Sequence, residues 1–332
     1  MMELIHLWLG LVGLVILLYV LLDGFSLGVA LLFPSARDEE ERDVLMSSIA
    51  PVWDANQTWL VFGGGALFAS FPVVYSVLFS ALYIPLLSFI FGLIFRGVAF
   101  EFRANSPRKT FWNRAFFWGS LVAVMAQGIT LGGFLTGTKV VGLHFAGNAF
   151  DWLNPFSVMV GLALICGYML LGSTYLLIKT TGAVQERAYR QAKRTALMVA
   201  GFMVLVSIWT PFHDPAFLTR WLSAPRLYFI WMFPLLGLVA FFALLKNLRE
   251  RNETKPFFCS ALLFVSAYLG LLAALYPYAV PPSVTVYEAA AQRETQIFTL
   301  WGVCLVLPVV LSYTAYSYWV FRGKVQPGEG YH

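Results

Sequence analysis

Residues 7–33 read LWLGLVGLVILLYVLLDGFSLGVALLF, and the only charge in the stretch is Asp23. At about 1.5 Å of rise per residue the run makes a helix roughly 40 Å long, enough to cross the ~30 Å hydrocarbon core of a bilayer. A helix with no polar face cannot stand at a water-facing surface, so the run reads as a membrane span. It outlasts the ~7–15-residue apolar segment of a signal peptide, and Met-Met-Glu ahead of it supplies no basic segment. It is expected to be retained as the first span.

The rest of the chain repeats the pattern. Of 332 residues, 59% are hydrophobic and 12% charged, about half the charged share of a soluble domain. A water-soluble fold is excluded, and mean hydropathy of +0.74 agrees. Apolar runs of bilayer length predict about nine spans, near 7–33, 53–71, 74–95, 114–137, 155–178, 194–212, 226–245, 257–276 and 297–320. The expected fold is therefore all-α and polytopic, a single integral membrane domain over 1–332. Pro72 is expected in a very short turn between the second and third spans, and Asn154-Pro155 reads as a cap and first helical residue for the fifth. Residues 35–50, with Asp38, Glu39, Glu40, Glu41 and Asp43 backed by Val44, Leu45, Met46 and Ile49, read as a short helix on the cytoplasmic membrane surface. Residues 326–332 read as a frayed cytoplasmic tail.

Nine spans put the two termini on opposite sides. Eighteen of the 22 Lys and Arg then fall on one side, leaving Lys139, Arg220, Arg226 and Arg293 on the other. The positive-inside rule places the N-terminus outside and the C-terminus in the cytoplasm. Basic residues scattered through short loops form no patch for a nucleic acid despite the net charge of +5. Cys166, Cys259 and Cys304 sit in apolar runs with no C-x-x-C pair, and read as packing residues. His6, His144, His213 and His332 offer no mid-membrane ligand and no i, i+4 pair, so the chain by itself is not expected to ligate haem or copper.

The polar residues left inside the spans carry the functional reading. Asp23 lies about two-thirds through the first span, where a carboxylate costs about 2.5–3.5 kcal/mol and needs a partner, water or a proton. Either it bonds a neighbouring helix brought close by Gly24 and Gly28, or it handles protons. Trp53-Asp54-Ala55-Asn56-Gln57-Thr58-Trp59 opens the second span. Asp54 and Gln57 have capping-box spacing, and Asp54 with Asn56, Gln57 and Thr58 would also suit the mouth of a proton path. Gly63-Gly64-Gly65 lacks a Walker lysine and reads as a close helix contact. Arg96-Gly97-Val98-Ala99-Phe100-Glu101-Phe102-Arg103 closes the third span, where snorkelling to headgroups is the ordinary explanation and an ion pair of Arg96 or Glu101 at a subunit interface the alternative.

Taken together, Asp23-Gly24-Phe25, Trp53-Asp54-Ala55-Asn56-Gln57-Thr58-Trp59, the glycine run through Phe68-Ala69, Phe71-Pro72, Tyr75 and Arg96 to Arg103 resemble subunit II of the cytochrome bd-type ubiquinol oxidases. The resemblance continues through Asn154-Pro155-Phe156, Thr174-Tyr175-Leu176, Tyr276-Pro277 and Tyr313-Thr314-Ala315-Tyr316, over essentially the whole chain. It implies two four-helix bundles plus a peripheral helix, in a bacterial inner membrane. The implied partner is a haem-bearing subunit I holding two b-type haems, a d-type or third b-type haem, and the site that oxidises ubiquinol or menaquinol. The present chain would ligate no cofactor, would support subunit I among membrane lipids, and would help deliver cytoplasmic protons, with Asp54 at the mouth and Asp23 as a buried acid. Trp53, Trp59, Gly63, Gly64, Gly65, Arg96, Glu101 and Arg103 would serve structure or the interface. A bound quinone or lipid and a small accessory subunit are left open. Many members read D-G-F-D-L-G and W-D-G-N, so Ser26 removes a second carboxylate and Ala55 replaces a glycine; the wording is closer to the cyanide-insensitive branch. A proton-coupled transporter using Asp23 and Asp54, or a purely structural assembly subunit, are the competing readings.

Overall fold

The structure, a computed structural model, describes residues 2–213 and 226–325, with side chains left aside over 210–229. The tail at 326–332, His332 and Arg220 lie outside the described residues. In chain order the helices are α1 (Met2–Leu32), α2 (Glu39–Ile49), α3 (Trp53–Ser70), α4 (Pro72–Ala81), α5 (Tyr83–Ala104), α6 (Lys109–Leu135), α7 (Pro155–Lys179), α8 (Gly182–His213), α9 (Arg226–Arg249), α10 (Lys255–Leu275), α11 (Val286–Ala289) and α12 (Arg293–Val320). Two small antiparallel hairpins interrupt them: β1 (Val140–Val141) with β2 (His144–Phe145), and β3 (Tyr278–Val280) with β4 (Val284–Thr285).

Among the described residues eight helices are long and apolar enough to span a membrane, and there are nine such spans if the bent pair α3–α4 is taken as one. The chain is thus an all-α polytopic membrane protein. The bounds of the third span differ from those expected. The apolar run 74–95 is not one helix: α4 ends at Ala81, and α5 begins at Tyr83. Pro85 has no N–H for the Ala81 carbonyl, so the helix cannot run through. Pro72 does not occupy a short turn but is the first residue of α4, which turns off α3 at 118° and lies over the hairpins. At α7 the expected cap is present, Asn154 accepting from the Ser157 N–H and the Ser157 hydroxyl accepting from the Asn154 N–H.

One group of helices comprises α1, α3, α5 and α6, and a second comprises α7, α8, α9 and α10. They meet where α1 and α6 lie against α7, while α12 packs outside, on α3. The seam is tightest where two glycines, Gly28 and Gly172, face each other. A Cβ on Gly28 would come within 1.8 Å of the Tyr168 carbonyl oxygen and 2.9 Å of Gly172 N. In a bilayer, where lipid is as apolar as leucine, such backbone proximity is what makes two helices prefer each other to lipid.

Candidate functional site

Asp23 points into the seam and is fully buried. Arg96 Nη1 donates to Asp23 Oδ1 at 3.0 Å, Arg96 Nη2 donates to Ser26 Oγ at 2.9 Å, and Ser26 Oγ donates to the same Asp23 Oδ1 at 2.7 Å. The carboxylate thus has the partner its depth requires. Arg96 corrects the snorkelling reading: it lies eight residues before the end of α5, is fully buried, and reaches α1 within the same chain. Its cationic head could not be left unpaired there, so acid and base neutralise each other. Ser26 bridges the pair and adds no second negative charge.

Around the pair, the Tyr19 phenol, one turn earlier on α1, faces Asp23. Tyr168 of α7 also faces Asp23, its ring filling the space beside Gly24. Four helices contribute: α1, α5, α7 and, through Gln127 near Tyr168, α6.

The second cluster gathers at the start of α3. Asp54 is exposed and does not cap the helix. The N-cap is Val52, and Asn56 N–H already donates to the Val52 carbonyl at 2.9 Å. Helix therefore begins one residue before Asp54, in a position from which its side chain cannot serve as the cap. It still stands in the first turn, where the helix dipole favours an anion. Asn56 is fully buried: its Nδ2 donates to the Leu22 carbonyl (2.8 Å), next to Asp23 along α1, and its Oδ1 accepts from Tyr318 OH of α12 (2.8 Å). Gln57 is partly buried with a sealed, unpartnered Nε2, and Thr58 is exposed. Trp53 stacks on Phe100 at 5.0 Å and Trp59 is fully buried against Phe62, so both tryptophans pack within the chain.

Of the three glycines, Gly63 alone makes the expected helix contact, its Cβ position lying 3.4 Å from Val15; Gly64 and Gly65 face open space. Glu101 is exposed, but Arg103 does not reach out from the protein. It is buried, donating to Asn113 and Asp43 at 2.5 Å each and to Glu39 at 2.9 Å. Sequence reasoning missed Tyr19, Tyr168, Gln127, Asn113 and Tyr318. Only Tyr19 had a local signal, its i, i+4 spacing from Asp23.

Among the described residues no group of three His, Cys, Asp or Glu is placed to hold a metal ion. His6 instead shares a hydrogen-bonded triangle with Tyr276 and Tyr287 at 3.3 and 3.0 Å.

The family model for cytochrome bd terminal oxidase subunit II matches residues 4–321. The chain belongs to that family. It is 28% identical to the Escherichia coli K12 cytochrome bd-I ubiquinol oxidase subunit 2, over 96% of this chain and 94% of the relative. It is 26% identical to the Bacillus subtilis cytochrome bd ubiquinol oxidase subunit 2, over 99% of both. The bd oxidase structure from Geobacillus thermodenitrificans shares the fold, with a TM-score of 0.78, 17% identity, and coverage of 96% of this chain and 98% of that one. As a subunit II, the chain is one multi-pass inner-membrane component of a terminal oxidase, and membership implies a subunit I beside it.

Proposed function

We propose that this subunit serves a quinol:oxygen oxidoreductase by leading cytoplasmic protons toward haems held in subunit I, two b-type with a d-type or third b-type haem. The observation that carries the reading is the placement of Asp54: an exposed carboxylate in the first turn of α3, two residues before buried Asn56, which in turn touches α1 beside Asp23 and α12 through Tyr318. A route needs an acid that meets water and polar groups that continue inward, and Asp54, Asn56, Gln57 and Thr58 supply both. Asp23 is a weaker candidate for carrying protons, because Arg96 and Ser26 both donate to its Oδ1 and it is sealed from water. The N-terminus lies outside and the C-terminus in the cytoplasm, so each proton drawn through the full membrane field stores about 2.3 kcal/mol per 100 mV.

The test is oxygen uptake by purified complexes carrying Asp54→Asn or Asp54→Ala, with haem spectra recorded on the same samples. Turnover should fall at least tenfold with haem content intact. Full turnover removes Asp54 from proton delivery. Loss of the haem bands in both variants assigns the residue to assembly instead.

A further inference from the structure

Resting on the reading that Asn56 belongs to the path from Asp54, we infer that Lys179 is a positioning residue for that path: it clamps the end of α12 and thereby holds Tyr318 on Asn56. Little else fixes α12. Of its 28 residues only Gln296, Val303, Thr314 and Ser317 are buried, and its main contact is with α3. In a bilayer, apolar packing hardly distinguishes a neighbouring helix from lipid, so polar ties at the two ends decide where such a helix stands. Before α12 begins, the Ala291 N–H donates to the Ser70 carbonyl at 2.9 Å, and Gln296 Nε2 donates to the Ala291 carbonyl at 2.7 Å. At its other end the chain leaves α12 at Phe321 and runs over the end of α7. There Lys179 Nζ donates to the Phe321 carbonyl and, at 3.1 Å, to the Gly323 carbonyl. The Val325 N–H donates back to the Lys179 carbonyl at 2.8 Å, while Lys324 Nζ reaches the Thr180 carbonyl at 3.3 Å and Glu253 at 2.8 Å.

An ammonium suits this place. Lys179 is the last residue of α7, is buried, and bonds the C-cap residue of α12, so one cation stands near the negative ends of two helix dipoles. It also supplies N–H donors to carbonyls that no helical N–H can reach. Tyr318 lies three residues before Phe321, inside the turn that the clamp fixes. Its hydroxyl donates to Asn56 Oδ1 at 2.8 Å, and Asn56 Nδ2 donates to the Leu22 carbonyl at 2.8 Å, so both bonds set the orientation of the buried amide. Release of residues 321–325 lets the last turn of α12 fray, which draws the phenol off Asn56 and leaves Oδ1 without its donor.

Lys179→Met keeps the length of the side chain and loses its donors. In the assembled oxidase, turnover per haem should fall roughly tenfold with the KM for quinol unchanged. Tyr318→Phe should fall as far, and the double variant no further, because all three remove the same bond. Normal turnover per haem in either single variant, losses that add, or a loss of haem content alone each overturn the assignment. A cryo-EM map of the Lys179→Met complex separates the clamp from the route: the Tyr318 hydroxyl should stand beyond hydrogen-bond distance of Asn56 Oδ1, and a bond kept intact overturns the clamp. Full turnover in Asp54→Asn ends the route, and the map then decides on the clamp. A slow Asp54→Asn beside a normal Lys179→Met ends the clamp and leaves the route. Should Lys179→Met not assemble, truncation after Arg322, which removes the Gly323 carbonyl and Lys324 but leaves α12 whole, takes its place in both measurements.

Discussion

Arg96 spends both of its terminal nitrogens on α1, one on Asp23 and one on Ser26, so α5 is fixed to α1 by a single charged side chain. Removing one partner of a buried pair strands the other, at a cost of about 3–5 kcal/mol, whereas replacing both by apolar groups of similar volume is often neutral. Arg96→Gln should therefore lower the yield and thermal midpoint of the complex more than the double change Arg96→Leu with Asp23→Leu. A double variant worse than either single would mean that the charges themselves are needed, and not only their neutrality. The demand for a partner was legible in the sequence, because a lone carboxylate in an apolar run is costly wherever it sits. The identity of that partner was not, since Asp23 and Arg96 are 73 positions apart and no local spacing joins them. Asp54 shows the converse: Asp and Gln three apart describe a capping box in the sequence, and only the helical turn already closed on Val52 denies it.

At the scale of elements, α2 works as a strap. Asp38 caps it, accepting from Glu41 N–H at 2.8 Å, and its acids reach α5, α6 and α8: Glu39 and Asp43 to Arg103, Asp43 to Lys109, and Glu41 to Arg187 at 2.6 Å. The hydrogen bonds from Arg187 hold the Glu41 carboxyl below its ordinary value of 4.5. Burial works against Glu39, yet Asn113 and Arg42 hold it low as well. A carboxyl with a lowered folded pKa contributes stability that is complete above its ordinary range and is lost as pH falls through the folded value. Docking of α2 should thus be unchanged from neutral pH down to the ordinary carboxylate range and weaken only below it. Glu41→Gln should flatten part of that dependence, read as hydrogen exchange of the α2 amides against pH; identical profiles would remove Glu41 from the strap. The glycines make a separate prediction. Gly28→Ala forces a Cβ onto the α7 backbone and should prevent folding, while Gly64→Ala meets nothing within this chain. A Gly64→Ala chain that inserts normally but fails to join haem-bearing subunit I would identify that face of α3 as the subunit contact. Composition made the helices legible, but not the break inside 74–95, because both sides of it are apolar and only Pro85 marks it.

For the whole molecule, contacts gather most of the basic loops before any orientation rule is applied. Residues 35–50 reach Arg103, Lys109 and Arg187; Arg251 pairs with Glu186 and Lys324 with Glu253 at 2.8 Å; Lys179 donates to the Phe321 and Gly323 carbonyls beyond α12. The segments after α1, α5, α7, α9 and α12 therefore share one end of the molecule, the end to which seventeen of the 22 basic residues belong, besides buried Arg96. Which compartment this end faces follows from charge. Cytoplasmic loops collect Lys and Arg, and the proposed route requires that Asp54, five residues after α2, face the proton source. A fluorescent protein fused after His332 should then be bright in intact cells, and alkaline phosphatase at the same place inactive. A single cysteine at Gly142, in the β1–β2 hairpin, should react with a membrane-impermeant maleimide from outside, in a background with Cys166, Cys259 and Cys304 replaced. The opposite pattern would turn the basic end outward, place Asp54 on the wrong side of the membrane, and end the case for proton uptake through it even if Asp54→Asn were inactive.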